Sequence, residues 1–526
     1  MQMGDKVMKK IIAFILSLTV LVSTAVCVSP ASAAGEGVNI PVIYVEGQGH
    51  ALYKNPGTPE QEQIYPIEIP EEYINEKLDS FLPVFAEAFF TQQWDEFCVA
   101  LYDIIVPIMA EVRLDDNGEA SNGTGIDWVW SEATLTDKKV NGTYNINDYV
   151  FKYDWRIDPW ETADKLHAYI EAVKNVTGAE KVALIGRCLG ASIVAAYMTK
   201  YDGEHIAECI FYASASHGAA MASKAFCGEL YLEGDGIERY AYDLKLFEDE
   251  TLENLIESLV TLLNKTYGLD VACWAVNNVY EDIYLNIIPP ILSETFATFP
   301  GYWSMVAQED YDKALETVFY NAEDGKYDGL IEKIENYHNN VRTKMDDKYL
   351  ELSKEGVEFS NVAKYGKQII PVSNNNSLVS DGTCEISQSS MGATAAGIMT
   401  SFSDEYVNSA VVNGTAKYIS PDKQLDASTC LFPKTTWFIK DCDHEHFPAD
   451  VENLFVEIFN NKGFTVFVDD NYPQFMVYNR NTDKIEPMTV ENLDTKPQYR
   501  TTFIEAFKIF VKSIFGIVRN YLASIK

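Results

Sequence analysis

Five residues constrain this 526-residue chain more than any others: Gly186-Arg187-Cys188-Leu189-Gly190. Before them runs Lys181-Val-Ala-Leu-Ile185, and after them Ala-Ser-Ile-Val-Ala-Ala, small and apolar. A short apolar run followed at once by a helical stretch, with a glycine two residues to either side of one central position, predicts a strand, a very sharp turn and a helix folded back on the strand. The two glycines let the chain turn and let strand and helix pack closely. The apex side chain is then forced out at the carboxyl end of a sheet, and the helix N-terminus aims backbone N–H groups and a partial positive charge at it. The usual apex residue of such a turn is serine; here it is Cys188. A positive local field favours thiolate over thiol, and the thiolate is the nucleophile. The pentapeptide alone also describes a core cysteine in a fortuitous glycine turn. The strand before it and the helix after it separate the two readings.

The rest of the chain fits an α/β architecture. From residue 34 to about 220, strand patterns (Val38–Val45, Tyr149–Tyr153, Lys181–Ile185, Ile206–Ala213) alternate with helical ones, Trp160–Val176 among them. Such alternation predicts a mostly parallel central sheet with helices on both faces. Residues 221–360 are acidic and mostly helical. Leu252, Leu255, Ile256, Leu259 and Leu263 mark one helix face, and an aromatic-rich stretch follows, broken by Pro289-Pro290 and Pro300-Gly301. This segment reads as an inserted helical cap. The core resumes over 361–462, with strands expected at Gln368–Val372 and Thr435–Ile439 and a helix at Val451–Phe459. Residues 463–498 read as an appended β and loop segment, and 499–526 as a basic amphipathic helix.

A nucleophile on such a turn needs an acid and a histidine downstream, in that order. Ser380-Asp381-Gly382-Thr383 supplies Asp381, which would hold an imidazole in the right tautomer and stabilise its charged form; Asp-Gly is also a plain turn pair. Asp441-Cys442-Asp443-His444-Glu445-His446 supplies two histidines in the loop before the last helix. Either can serve as base, with a slight preference for His446, which abuts the helix start at Pro448. Alternating histidines can also chelate a metal, but no C-x-x-C pair or third ligand set stands out, so neither a metal nor a cofactor is expected. The oxyanion of an acyl intermediate needs two backbone donors. The N–H of Leu189 is one. The other is expected from the glycine-rich loop Gly47-Gln48-Gly49 after the first strand, at Gln48.

The N-terminus sets the compartment. Lys6, Lys9 and Lys10 precede the apolar run Ile11–Val28, and Ala31-Ser32-Ala33 closes it. A positive start, an apolar middle and an A-x-A site predict a secretory signal peptide over 1–33, cleaved after Ala33, and a secreted protein. Eight cysteines beyond Cys27 permit disulfides, although a chain this long needs no such staples. The formal charge of −37 excludes nucleic acid as a partner, since its phosphates would be repelled. The exception is the last segment. Arg500, Lys508, Lys512, Arg519 and Lys526 stand against Glu505 alone, with Phe503, Phe507, Phe510 and Ile514 at helical spacing. A helix of this kind suits peripheral contact with a membrane surface, and equally suits packing on the protein's own acidic face.

Together these residues resemble the α/β-hydrolase superfamily, and within it the lecithin–cholesterol acyltransferase and related lipase group. The resemblance rests on Tyr153-Asp154-Trp155-Arg156, the Cys188 turn, Phe299-Pro300-Gly301-Tyr302-Trp303 and Ser380-Asp381-Gly382-Thr383, and spans roughly residues 38–460. It implies an α/β-hydrolase fold, a nucleophile–Asp–His triad, no cofactor, and hydrolysis or transfer of an acyl ester, with a lipid as substrate. Two departures stand out: Cys188 replaces serine, and the stretch from Asp381 to the histidines is unusually long. The competing expectation is an inactive member of the fold, an extracellular binding protein with Cys188 tied to another thiol.

Overall fold

The computed structural model describes residues 37–244, 250–369, 378–489, 491–494 and 502–524. The expected signal peptide over 1–33 lies outside them. Eight strands form the central sheet, in the order Lys484–Pro487, Phe475–Asn479, Thr436–Lys440, Glu358–Tyr365, Ile206–Tyr212, Val182–Arg187, Val42–Val45 and Tyr149–Phe151. Every neighbouring pair is parallel except the first two strands of that order, which are antiparallel. Val42–Val45 and Val182–Arg187 are buried at every position. A parallel strand covered on both faces calls for such an unbroken run. The expected α/β architecture with a mostly parallel sheet is therefore present.

The crossovers are helices with readable ends. Pro159–Thr177 starts at Asp158, whose side chain accepts the Trp160 N–H, has proline at its first position and stops at Gly178 with φ 67°. Gly190–Tyr201 links Val182–Arg187 to Ile206–Tyr212. Between Ile206–Tyr212 and Glu358–Tyr365 the described chain is helical, with long members at Glu250–Lys265 and Gly268–Ser293.

Three features differ from expectation. The strand placed at 368–372 is instead Glu358–Tyr365; Gln368 and Ile369 are not in a strand, and 370–372 lie outside the described residues. Its polar Ser360, Asn361 and Lys364 are buried. An apolar-run criterion passes over such a strand, because partners elsewhere satisfy it: the Asn361 amide donates to Ser389 O at 2.8 Å. The β segment after residue 463 is no appendage, since Phe475–Asn479 and Lys484–Pro487 extend the central sheet. Finally, the long stretch before the histidines carries the helix Asp404–Asn413 and the two-stranded ladder Thr394–Ala395 with Leu425–Asp426, and it shares a small apolar cluster with the central-sheet residues Ala363, Tyr365, Phe438, Phe475 and Val477.

Candidate functional site

Because their strands are parallel, Cys188, Asp381 and His444 all follow carboxyl ends at one edge of the sheet. Cys188 sits between Val182–Arg187 and the helix Gly190–Tyr201 with φ 50°. For a residue with a side chain the left-handed region costs about 1–2 kcal/mol, so the fold holds this turn against local preference. Cys188 N–H donates to Tyr212 O (3.2 Å), and Cys188 O accepts from Ala191 N (3.1 Å) and Ala215 N (3.1 Å). The flanking glycines are sterically required. A Cβ on Gly190 would lie 2.4 Å from both Val45 O and Glu46 O, and one on Gly186 3.1 Å from Ala191 Cα. Cys188 is 5% exposed. All eight cysteines among the described residues are free thiols, so the expectation of Cys188 bound to another thiol does not hold.

Asp381 reaches the same edge by doubling back on the end of its strand: Lys367 N–H donates to Ser380 O at 2.9 Å. The carboxylate is fully buried and fully used. Oδ1 accepts from Thr383 N (3.0 Å) and Cys384 N (2.8 Å), and Oδ2 accepts from His444 Nδ1 at 2.7 Å. His444 N–H also donates to Asp381 O at 2.8 Å. Burial alone would push the carboxyl up; the His444 imidazole, the Lys364 charge and the Cys384 N–H outweigh it and hold it below the usual range. Burial alone would push His444 down; Asp381, helped by Cys384, overrides it and lifts the imidazole well above its ordinary value. His444 Nε2 is buried and has no hydrogen-bond partner among the described residues.

His446 goes elsewhere. Its Nε2 lies 2.6 Å from Asp483 Oδ1 and its ring packs on Tyr478 at 4.6 Å between centroids. The preference for His446 as the partner of Asp381 is thus corrected to His444. Two buried cations explain the choice. Lys364 Nζ donates to the carbonyls of Asp443 (2.8 Å), His444 (2.6 Å) and His446 (2.9 Å). Arg187, next to Cys188, donates to Glu445 O at 3.1 Å. Buried cations are costly unless hydrogen-bonded; here the bonds that satisfy them fix the histidine loop against its neighbouring strand and against the Cys188 turn. Neither residue was singled out from sequence, because a lysine inside a strand pattern and the variable second position of the turn carry no local signal.

The Gly47–Gly49 loop follows the strand end that packs on the Cys188 turn. The contact of Gly190 with Val45 O and Glu46 O sets the end of the first strand against the start of the helix after Leu189. Gly49 has φ 138°, a backbone conformation open to glycine. The side chain of buried Gln48 donates to Tyr302 Oη at 2.7 Å. Tyr302 is itself anchored: Gly301 N–H donates to Arg156 O (2.9 Å), and a Cβ on Gly301 would meet Trp155 O at 2.1 Å. Arg156 forms a two-pronged ion pair with Asp154, at 2.9 Å and 2.6 Å. The Tyr153–Arg156 and Phe299–Trp303 segments therefore buttress the glycine loop, and the Trp155 ring tilts against Tyr65 and Tyr302.

One residue beside the Asp381–His444 pair was not singled out in the sequence. Cys384 is fully buried three residues after Asp381. A carboxylate oxygen of Asp381, the Cys384 sulfur and a ring nitrogen of His444 all lie within 4.8 Å of one another. Burial pushes the Cys384 thiol up to about 12, with His444 pulling it down and Asp381 and Cys188 adding to the rise. Its only signal in the sequence was its spacing from Asp381.

No family model and no curated protein matches the sequence. Among solved structures, a bromoperoxidase from Bacillus anthracis is 17% identical over 39% of this chain and 81% of its own, with a TM-score of 0.12.

Proposed function

We propose that the protein is a secreted thiol-dependent α/β hydrolase that cleaves or transfers an acyl ester through Cys188, His444 and Asp381. The observation that carries this reading is the buried Asp381–His444 pair on the same sheet edge as a left-handed cysteine turn. The order nucleophile, acid, histidine along the chain also supports it.

In this mechanism Cys188 Sγ attacks the ester carbonyl and its proton passes to His444 Nε2. Asp381 holds the opposite ring nitrogen and stabilises the imidazolium. The N–H groups of Leu189 and Gln48 receive the oxyanion. Collapse of the tetrahedral intermediate expels the alcohol, which takes the proton from His444 and leaves an acyl-thioester on Cys188. Water or a second alcohol then attacks it, with His444 as base, and restores the thiol. A thioester is a good acyl donor, so transfer suits the site as well as hydrolysis. With Cys188 at 5% exposure, the groups covering it must part to admit substrate.

A lipid is the substrate class this reading favours. Phe85 and Phe90 on the helix Glu71–Thr91, Val99 on Asp95–Met109, Val271 and Trp274 on Gly268–Ser293, and Phe503, Ile504 and Phe507 on Phe503–Ser524 are all exposed. These helices are linked by packing, directly or through Glu250–Lys265. Exposed apolar side chains on a set of mutually packed helices suit contact with a membrane.

The test is turnover of short- and long-chain nitrophenyl esters by the wild type and by Cys188→Ala. The expected result is activity in the wild type, higher on the long chain, and its loss in the variant. Equal rates for the two proteins would refute the reading.

A further inference from the structure

The sequence leads to no expectation of a metal, yet the fold sets a third donor, the Cys384 sulfur, against the Asp381–His444 pair. We propose that Asp381, Cys384 and His444 form a binding site for one thiophilic divalent cation of the zinc or cadmium type. The three donor atoms lie within 4.8 Å of one another. Donors around a tetrahedral ion with bonds of 2.0–2.3 Å stand about 3.5 Å apart; Asp381 Oδ2 and His444 Nδ1, at 2.7 Å, therefore part by about 0.8 Å to admit the ion, and the longest separation in the cluster closes by about 1.3 Å or less.

Charge and softness choose the ion. A thiolate and a carboxylate supply the two negative charges that neutralise a dication, so the occupied site buries no net charge. Cysteine and histidine select zinc-like ions; magnesium and calcium require a shell of oxygens that this cluster lacks. Lys364 opposes any cation here through its charge, but its Nζ is turned onto three carbonyls of the histidine loop. Three protein ligands leave a fourth coordination position open.

An ion in this cluster competes with the hydrogen bond between Asp381 Oδ2 and His444 Nδ1. Occupation and base catalysis by His444 therefore exclude each other. That second statement rests on the hydrolase reading; the binding itself does not.

Cadmium titration of the full chain, followed by the thiolate-to-cadmium charge-transfer absorption, tests the site without relying on activity. The wild type and Cys188→Ser should each develop a band that saturates at one equivalent, reversed by excess zinc and untouched by magnesium. Cys384→Ser should lose the band, and Asp381→Asn should bind at least about 10-fold more weakly. A wild type without a band, or an unchanged band in Cys384→Ser, overturns the proposal. Should circular dichroism find Cys384→Ser unfolded, the near-isosteric Asp381→Asn decides, and unchanged affinity there overturns it. Ester turnover is read in parallel. Turnover abolished at one equivalent of zinc supports the exclusion, and turnover unaffected at saturation overturns it. A wild type that binds cadmium but cleaves no ester counts against the hydrolase reading and leaves the metal site standing.

Discussion

At the scale of single residues, the division of labour between two histidines is the sharpest consequence. His444 shares a buried hydrogen bond with Asp381, whereas His446 pairs with Asp483 at the edge of Tyr478. Replacing His444 with glutamine should lower kcat/KM by about 10³-fold, within the usual range for a lost general base; the same change at His446 should leave it within about threefold. Ester kinetics on the two variants check this, and similar losses in both would contradict the assignment. Cys188 and Asp381 were legible in the sequence because each sits in a local pattern, glycines two residues either side of the one and an Asp-Gly pair after a strand for the other. The choice of His444 was not legible. It depends on Lys364 and Arg187 gripping the loop from other strands, and on a backbone bond to Asp381 across 63 residues. Cys384 was hidden for the same reason, since nothing in its neighbours says that its sulfur faces an imidazole.

Elements were legible where their residues form an unbroken apolar run or carry their own end signals. The stretch 182–185 and Val42–Val45 are apolar runs, and the helix Pro159–Thr177 carries its cap and stop in plain residues. Glu358–Tyr365 was missed because buried polar residues interrupt its apolar pattern, with Asn361 and Lys364 bonded to groups distant in sequence. That strand also produces a measurable pH effect. Glu358 lies in register with Glu208 on the neighbouring strand. Burial first, and the Glu358 charge second, push the Glu208 carboxyl up to about 8 from an ordinary 4.5. Between those values the folded state keeps a proton that the unfolded chain has released, so stability falls as pH rises through this window. Glu208→Gln should remove that slope and raise stability above pH 8 by on the order of a few kcal/mol. Urea midpoints for wild type and variant at pH 5 and pH 8.5 check it; a gap between the two proteins that does not widen with pH would contradict it.

The whole molecule sets a strongly acidic body, formal charge −37, against a C-terminal helix whose described half exposes Phe503, Ile504 and Phe507 while burying Ala506 and Ser513. The helix was legible from its periodicity. Which face it buries was not, because that depends on how it packs along Glu250–Lys265. If this surface meets lipid, removing residues 499–526 should weaken binding to anionic phosphatidylglycerol vesicles at least about tenfold, with a smaller loss on neutral phosphatidylcholine vesicles. Sedimentation of both proteins with both vesicle types checks it, and equal binding would contradict the membrane role.

In the proposed mechanism acyl groups pass through the sulfur of Cys188. Rapid acid quench of the wild type with a nitrophenyl ester, followed by peptide mass mapping, tests it directly. One acyl adduct, labile to hydroxylamine, is expected on the peptide containing Cys188, and its accumulation in His444→Gln should be slowed. Turnover with no adduct on that peptide, or with the adduct on another residue such as Cys384, would contradict it.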